Sequence, residues 1–257
     1  MSLSNPQTEA QPNPASPFYE WKGSEGCFVH YDKVNKENVK TPLPFSFIPL
    51  DVLVTVKGWN EKEQKGYWSN EVRNLLTDVI YVRSKSGLEF AGLYKDIKPK
   101  LEAKGISYVQ SVYVGMKDSK GKLTLSNIQI KGSALKPWIE LSSKSKVLGA
   151  AISVNSTTDQ KTGAVKYKAP VFTLVKLKEA TLKEATELDK TLQEYLNGYF
   201  ERNKTASTEQ VVSQPKVVSQ AAEAAFDDSK HPDAQYSKFS ETVPNDIITN
   251  LDMPDEF

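Results

Sequence analysis

The 257-residue chain contains one cysteine and two histidines, and this scarcity closes off several kinds of chemistry. A single thiol, Cys27, cannot form an intramolecular disulfide framework, which leaves a reducing compartment unopposed. Cys27 and His30 make a C-x-x-H pair, but a zinc site needs about four ligands. The only other histidine, His231, falls in a segment expected to be disordered. No metal and no cofactor are therefore expected. The phosphate-loop pattern G-x-x-x-x-G-K-[ST], the dinucleotide pattern G-x-G-x-x-G and the nucleophile elbow G-x-S-x-G are all missing, so the chain does not read as an enzyme. No run of eighteen apolar residues occurs that could span a bilayer, which predicts a soluble protein with no membrane partner. Met1 to Pro17 has neither a positive n-region nor an apolar h-region, so cytoplasmic location is the default.

The net charge of +1 hides a division along the chain. Ser16 to Lys178 carries 26 Lys and Arg against 15 Asp and Glu, or +11, whereas Glu179 to Phe257 carries 7 against 16, or −9. A basic body joined to an acidic tail suggests a polyanion-binding surface and an internal competitor for it.

Residues 1–17 hold four prolines and little that could be buried, and read as a disordered arm. From Phe18 onward the pattern is strand-like. Asp51 to Trp59 alternates, with Val52, Val54 and Val56 on one face and Thr55, Lys57 and Trp59 on the other. Thr77 to Lys85 places Ile80 and Val82 inward and Tyr81, Arg83 and Lys85 outward. Further strands are expected at 26–31, 88–94, 106–116, 123–131, 150–156 and 164–177, with turns at 85–87, 118–121 and 158–163. Short helices fit 97–104 and 134–142. This pattern predicts a mainly β fold, an OB-fold-like antiparallel barrel with extra hairpins, spanning residues 18–203. A C-terminal amphipathic helix over 181–200 closes it: Thr181 and Glu184 form a capping box, and Leu182, Ala185, Leu188, Leu192, Tyr195, Leu196 and Tyr199 recur at helical spacing. That stripe fits packing on the barrel or a homodimer contact. Residues 204–226 read as a flexible linker with Val-Val-Ser-Gln repeated at 211–214 and 217–220, and 227–257 as an acidic, disordered tail.

Binding an unpaired nucleic acid without chemistry requires a positive groove for phosphates and flat aromatic faces for bases. The candidates are Trp59, Tyr67, Trp68 and Tyr81 for stacking, and Lys57, Lys62, Lys65, Arg83, Lys85, Lys166 and Lys168 for the backbone. Trp21 and Trp138 lack the same basic interleaving and are assigned to the core.

The tail mixes its charge with Ile247, Ile248, Leu251, Met253 and Phe257, an acidic-apolar pattern that suits basic pockets with an apolar floor. Leu251-Asp252-Met253-Pro254-Asp255-Glu256-Phe257 resembles the acidic tip of the single-stranded DNA-binding proteins of bacteria and their phages, in which a basic OB-fold domain is joined by a flexible linker to a tip commonly ending in Phe. Pro254 is displaced from the penultimate position usual in the bacterial proteins, and the phage type is nearer in domain length. The resemblance implies sequence-independent binding and protection of single-stranded DNA in replication, recombination or repair, in the bacterial cytoplasm of a host if the chain is of phage origin. It also implies that Asp252, Met253, Pro254, Asp255, Glu256 and Phe257 recruit replication or recombination proteins such as a polymerase, a primase-helicase or a recombinase. Charge alone adds that the tail, at −6 from Asp227 onward, competes with DNA for the basic groove. An alternative class is a structural or assembly protein, such as a virion component or scaffold, whose tail docks on a partner. A third is a binding module for RNA or for another protein's basic surface.

Overall fold

The longest strand, Phe45–Asn60 (β4), organises the sheet. In this computed structural model residues 12–211 are described, with side chains as far as Asn203. Ile106–Lys117 (β8) pairs antiparallel along most of β4, with a bulge at Leu50, and Leu123–Ile130 (β9) pairs antiparallel with β8. Phe18–Lys22 (β1) joins β9 in parallel and continues to Cys27–Asp32 (β2) and Glu37–Thr41 (β3). Past the far end of β4 come Lys65–Ser69 (β5), Ile80–Ser84 (β6) and Gly87–Gly92 (β7), followed by the helix Tyr94–Ala103 (α1). The order is β3-β2-β1-β9-β8-β4-β5-β6-β7, a mixed, open sheet. A long hairpin, Ala151–Thr162 (β10) and Val165–Val175 (β11), branches from the first residues of β4.

Alternation along these strands divides the core. On one face Phe28, Phe45, Phe47, Val112, Ile128, Ile130, Ile152 and Phe172 close around Trp138 of the helix Leu135–Lys144 (α2). Trp138 is fully buried and its indole N–H donates to Gln110 Oε1 at 2.7 Å, so the polar edge of a large ring is satisfied inside. Trp21 is buried in the same cluster, as its sequence context implied. A second cluster, Val56, Tyr67, Ile80, Val82, Ile97 and Leu101, lies under β5 to β7 and α1. On the opposite face of β4 and β8, Leu53 and Tyr113 pack with Leu125 beneath Leu192, Tyr195 and Leu196 of the C-terminal helix Glu179–Val211 (α3).

Several sequence expectations shift. The strand expected at 51–59 is the second half of β4 and is covered on both faces at its centre, where Leu53 lies beneath α3 and Thr55, as buried as Val56, pairs with Ser69. The turn expected at 158–163 is strand almost to its end, since Asp159 pairs with Lys168 and Thr162 with Val165. Residues 61–69, where the sequence pattern gives no strand, contain β5, whose two-residue alternation is too short to stand out. The arm expected through residue 17 is anchored at its end: Ala15 is buried, Ser16 N donates to Leu125 O at 3.0 Å and Asn127 N donates to Pro17 O at 3.2 Å. Helix α3 begins at Glu179, so Thr181 is inside the helix and buried rather than capping it. The helix also runs to Val211, past the linker boundary set at 204. The rest of the linker and the tail lie outside the described residues.

Candidate nucleic-acid interface

Cross-strand register assembles five of the sequence candidates on one face. Lys57 on β4 stands opposite Trp68 on β5, and Trp68 stands opposite Arg83 on β6, which sets a cation, an indole and a cation in one row. Trp59, two residues beyond Lys57, is opposite Gly66. An ideal Cβ at Gly66 would lie 3.5 Å from the Trp59 ring, an ordinary van der Waals contact, so the indole lies across the neighbouring strand at Gly66. Tyr81 shares the Arg83 side of β6, because Ile80 and Val82 between them point into the core. Trp59 remains 52% exposed and Trp68 40%, an unusual cost for rings of that size unless something covers them.

The other candidates divide. Lys85 is exposed in the β6–β7 turn, and Lys62 is exposed in the β4–β5 turn, where Asn60 Oδ1 accepts its backbone N–H at 3.0 Å. Lys65 is held by Glu89 at 2.6 Å, which raises its pKa. Tyr67 does not belong to the surface at all. It is only 3% exposed, its ring is part of the core beneath, and its hydroxyl contacts the Glu63 carboxylate and, at 3.1 Å, Lys104 Nζ. It alternates with Trp68 on a pleated strand, so one of the two had to point inward. Lys166 and Lys168 are exposed on β11. Lys168 N donates to Gly23 O at 2.8 Å and its carbonyl accepts the Trp21 indole N–H at 2.9 Å, tying the hairpin to the β1–β2 turn. These two lysines are therefore separated from the aromatic strip by β1, β9 and β8.

The strands between them carry groups that sequence pattern did not single out. Glu20 on β1 is opposite Gln129 on β9, which is opposite Ser111 on β8. Lys131 follows β9 and pairs with Glu20 at 3.1 Å. Gln129 and Ser111 are buried in this row, and only the parallel pairing of β1 with β9, invisible in local periodicity, brings Glu20 beside them and Lys131. Burial pulls the pKa of Lys57 down, and Lys131 adds to that, while Glu20 and Glu71 hold the ammonium charged.

Beside the strip a polar network passes under α3. Glu71 accepts from Ser111 and, at 2.7 Å, from the Tyr113 hydroxyl, while its own N–H donates to the Tyr199 hydroxyl at 2.7 Å. Burial lifts the Glu71 carboxyl above the usual carboxylate range despite these donors. Arg73 reaches both oxygens of Asp51, at 3.0 and 2.8 Å, and Gln193 of α3 donates to the same carboxylate at 3.1 Å. The helix is thus fixed to one half of the face and leaves the other half open.

Cys27 pairs with Lys22 and His30 with Tyr19, three residues apart on one strand, so their side chains leave on opposite faces. Among the described residues no group of three or more His, Cys, Asp or Glu side chains could hold a metal ion, and no helix is long and apolar enough to cross a membrane. The tail residues Asp252 to Phe257 lie outside the described span. The chain matches no protein-family model, no curated protein and no solved structure.

Proposed function

We propose that this protein binds single-stranded DNA without catalysis and without sequence preference, covering and protecting the strand in replication, recombination or repair. The observation that carries this is the pair of exposed indoles, Trp59 and Trp68, set among Lys57 and Arg83 on one face of the sheet. Stacking contributes about 1–3 kcal/mol per base and tolerates any base, while the cations follow the phosphates.

The finer architecture we infer is an OB-type barrel. Its support is the pairing order β9-β8-β4-β10-β11, a long, bulged first strand shared by both arms, and α2 between the third and fourth strands with Trp138 in the core. On that frame β8 and β9 are the second and third strands, β5 to β7 with α1 fill the first connection, and the β10–β11 turn is the last. Oligonucleotides bind OB-folds on the strand two and three face, between the first and last connections. The aromatic strip occupies one of those connections, and Lys166 and Lys168 flank the other. The acidic segment ending Asp252 to Phe257 would then recruit replication or recombination proteins through a basic, apolar-floored pocket on them.

The test is a Trp59→Ala, Trp68→Ala double variant, followed by fluorescence anisotropy of a labelled oligo-dT. Binding should weaken by at least tenfold while the melting curve stays close to that of wild type. Unchanged affinity would refute this placement of the site.

A further inference from the structure

The face between the two connections is not uniformly positive. Glu20 extends from β1 onto it, with Tyr19 and Trp21 on either side turned into the core, so its carboxylate has no alternative direction. It meets Lys131 at 3.1 Å with both side chains about one-third exposed, and its charge also favours the ammonium form of the partly buried Lys57. This pair sits between the aromatic strip and the Lys166/Lys168 hairpin, so a DNA phosphate following the same path would meet the ammonium that Glu20 holds.

We propose that Glu20 is a built-in substitute for a DNA phosphate, neutralising Lys131 in the free protein and giving way when a strand binds. This rests on the single-stranded DNA reading of the face. Its consequence is a binding surface tuned below its own capacity: each strand that enters must first break the Glu20 to Lys131 pair. The exchange costs little, because a partly exposed ion pair is worth only about 0–1 kcal/mol. It does cancel the counterion release that a free Lys131 would contribute, so the protein releases its strand more readily and responds less to salt than its lysine count implies. Lys131 becomes a phosphate contact, and Glu20 a positioning and tuning residue.

The experiment is a titration of full-length wild type, Glu20→Gln, Lys131→Gln and the double variant with oligo-dT, by tryptophan fluorescence from 50 mM to 1 M salt. Glu20→Gln keeps the shape of the side chain, and a melting curve checks the fold. One extra phosphate neutralised on a single strand steepens the log–log salt slope by about 0.7, which is roughly five- to tenfold tighter binding at 50 mM salt and little change at 1 M. In the Lys131→Gln background the same substitution should lose most of its effect. Glu187→Gln, which removes a carboxylate paired to Lys190 at 2.8 Å on α3, should leave both affinity and slope alone. The proposal is overturned if Glu20→Gln leaves the slope unchanged while wild type still quenches, or if its gain persists in full without Lys131, since that would be a general effect of charge. If wild type shows neither quenching nor a salt slope, the site itself is misread and the proposal falls with it.

Discussion

Leu53 and Trp59 lie six residues apart on the same face of the same strand, and their surroundings could hardly differ more. Leu53 is fully buried beneath α3, against Leu192, Tyr195 and Leu196, whereas among the described residues no helix covers Trp59, which is half exposed. In one half the chain supplies its own cover, and in the other two exposed indoles are set among cations: Lys57, Arg83 and Lys131. The boundary between them is polar and fixed, formed by Glu71, Ser111, Tyr113 and Tyr199 together with Asp51, Arg73 and Gln193. Our proposal assigns the flat, anionic partner to the half beyond this polar seam.

The comparison breaks most visibly in stability. Leu196→Ala opens a cavity under the covered half and should cost about 2–5 kcal/mol in urea melts, with little effect on DNA affinity measured under native conditions. The open half should do the reverse: Trp68→Ala should lose about 1–3 kcal/mol of oligo-dT binding with unfolding free energy nearly unchanged. If Trp68→Ala destabilised as much as Leu196→Ala, the two halves would be one core. A smaller effect is expected from Lys166→Gln with Lys168→Gln, which should reduce the salt slope of binding by about 0.7 for each phosphate that is no longer neutralised and leave the maximum quench intact.

The smallest effect concerns the seam. The native state holds the proton on Glu71 to a higher pH than the unfolded chain does, because burial raises its carboxyl pKa. Ionising it therefore costs stability as pH rises from the ordinary carboxylate range through the raised native value. Glu71→Gln should remove that loss, making the difference in unfolding free energy between the variant and wild type more favourable to the variant at pH 7 than at pH 4. A difference independent of pH would show that Glu71 is not the group that titrates there.

Long alternating runs made the central strands legible from sequence, and most of the aromatic strip with them, since Trp59, Tyr81 and Arg83 fall on the polar side of clear two-residue periods. Tyr67 and Trp68 were not separable, because adjacent residues of a five-residue strand give no period to say which points in. The partners of the strip were hidden for another reason. Lys131 and Glu20 are 111 positions apart and meet only because β1 inserts parallel to β9, a tertiary choice that no local pattern encodes. Helix α3 was read from its stripe, but its start was misplaced because a Thr-x-x-Glu sequence inside a helix looks like one before it. Mainly β architecture was legible throughout.

The central claim is that the uncovered half of this face binds unpaired DNA, and a titration with oligo-dT at 50 and 200 mM salt, followed by tryptophan fluorescence, tests it most directly. Trp59 and Trp68 are the exposed indoles, so stacking should quench a large part of the accessible emission, and the affinity should fall between the two salt concentrations by about 0.7 log units per neutralised phosphate for each tenfold increase in salt. Emission that stays constant to saturating oligonucleotide at both concentrations would contradict the account.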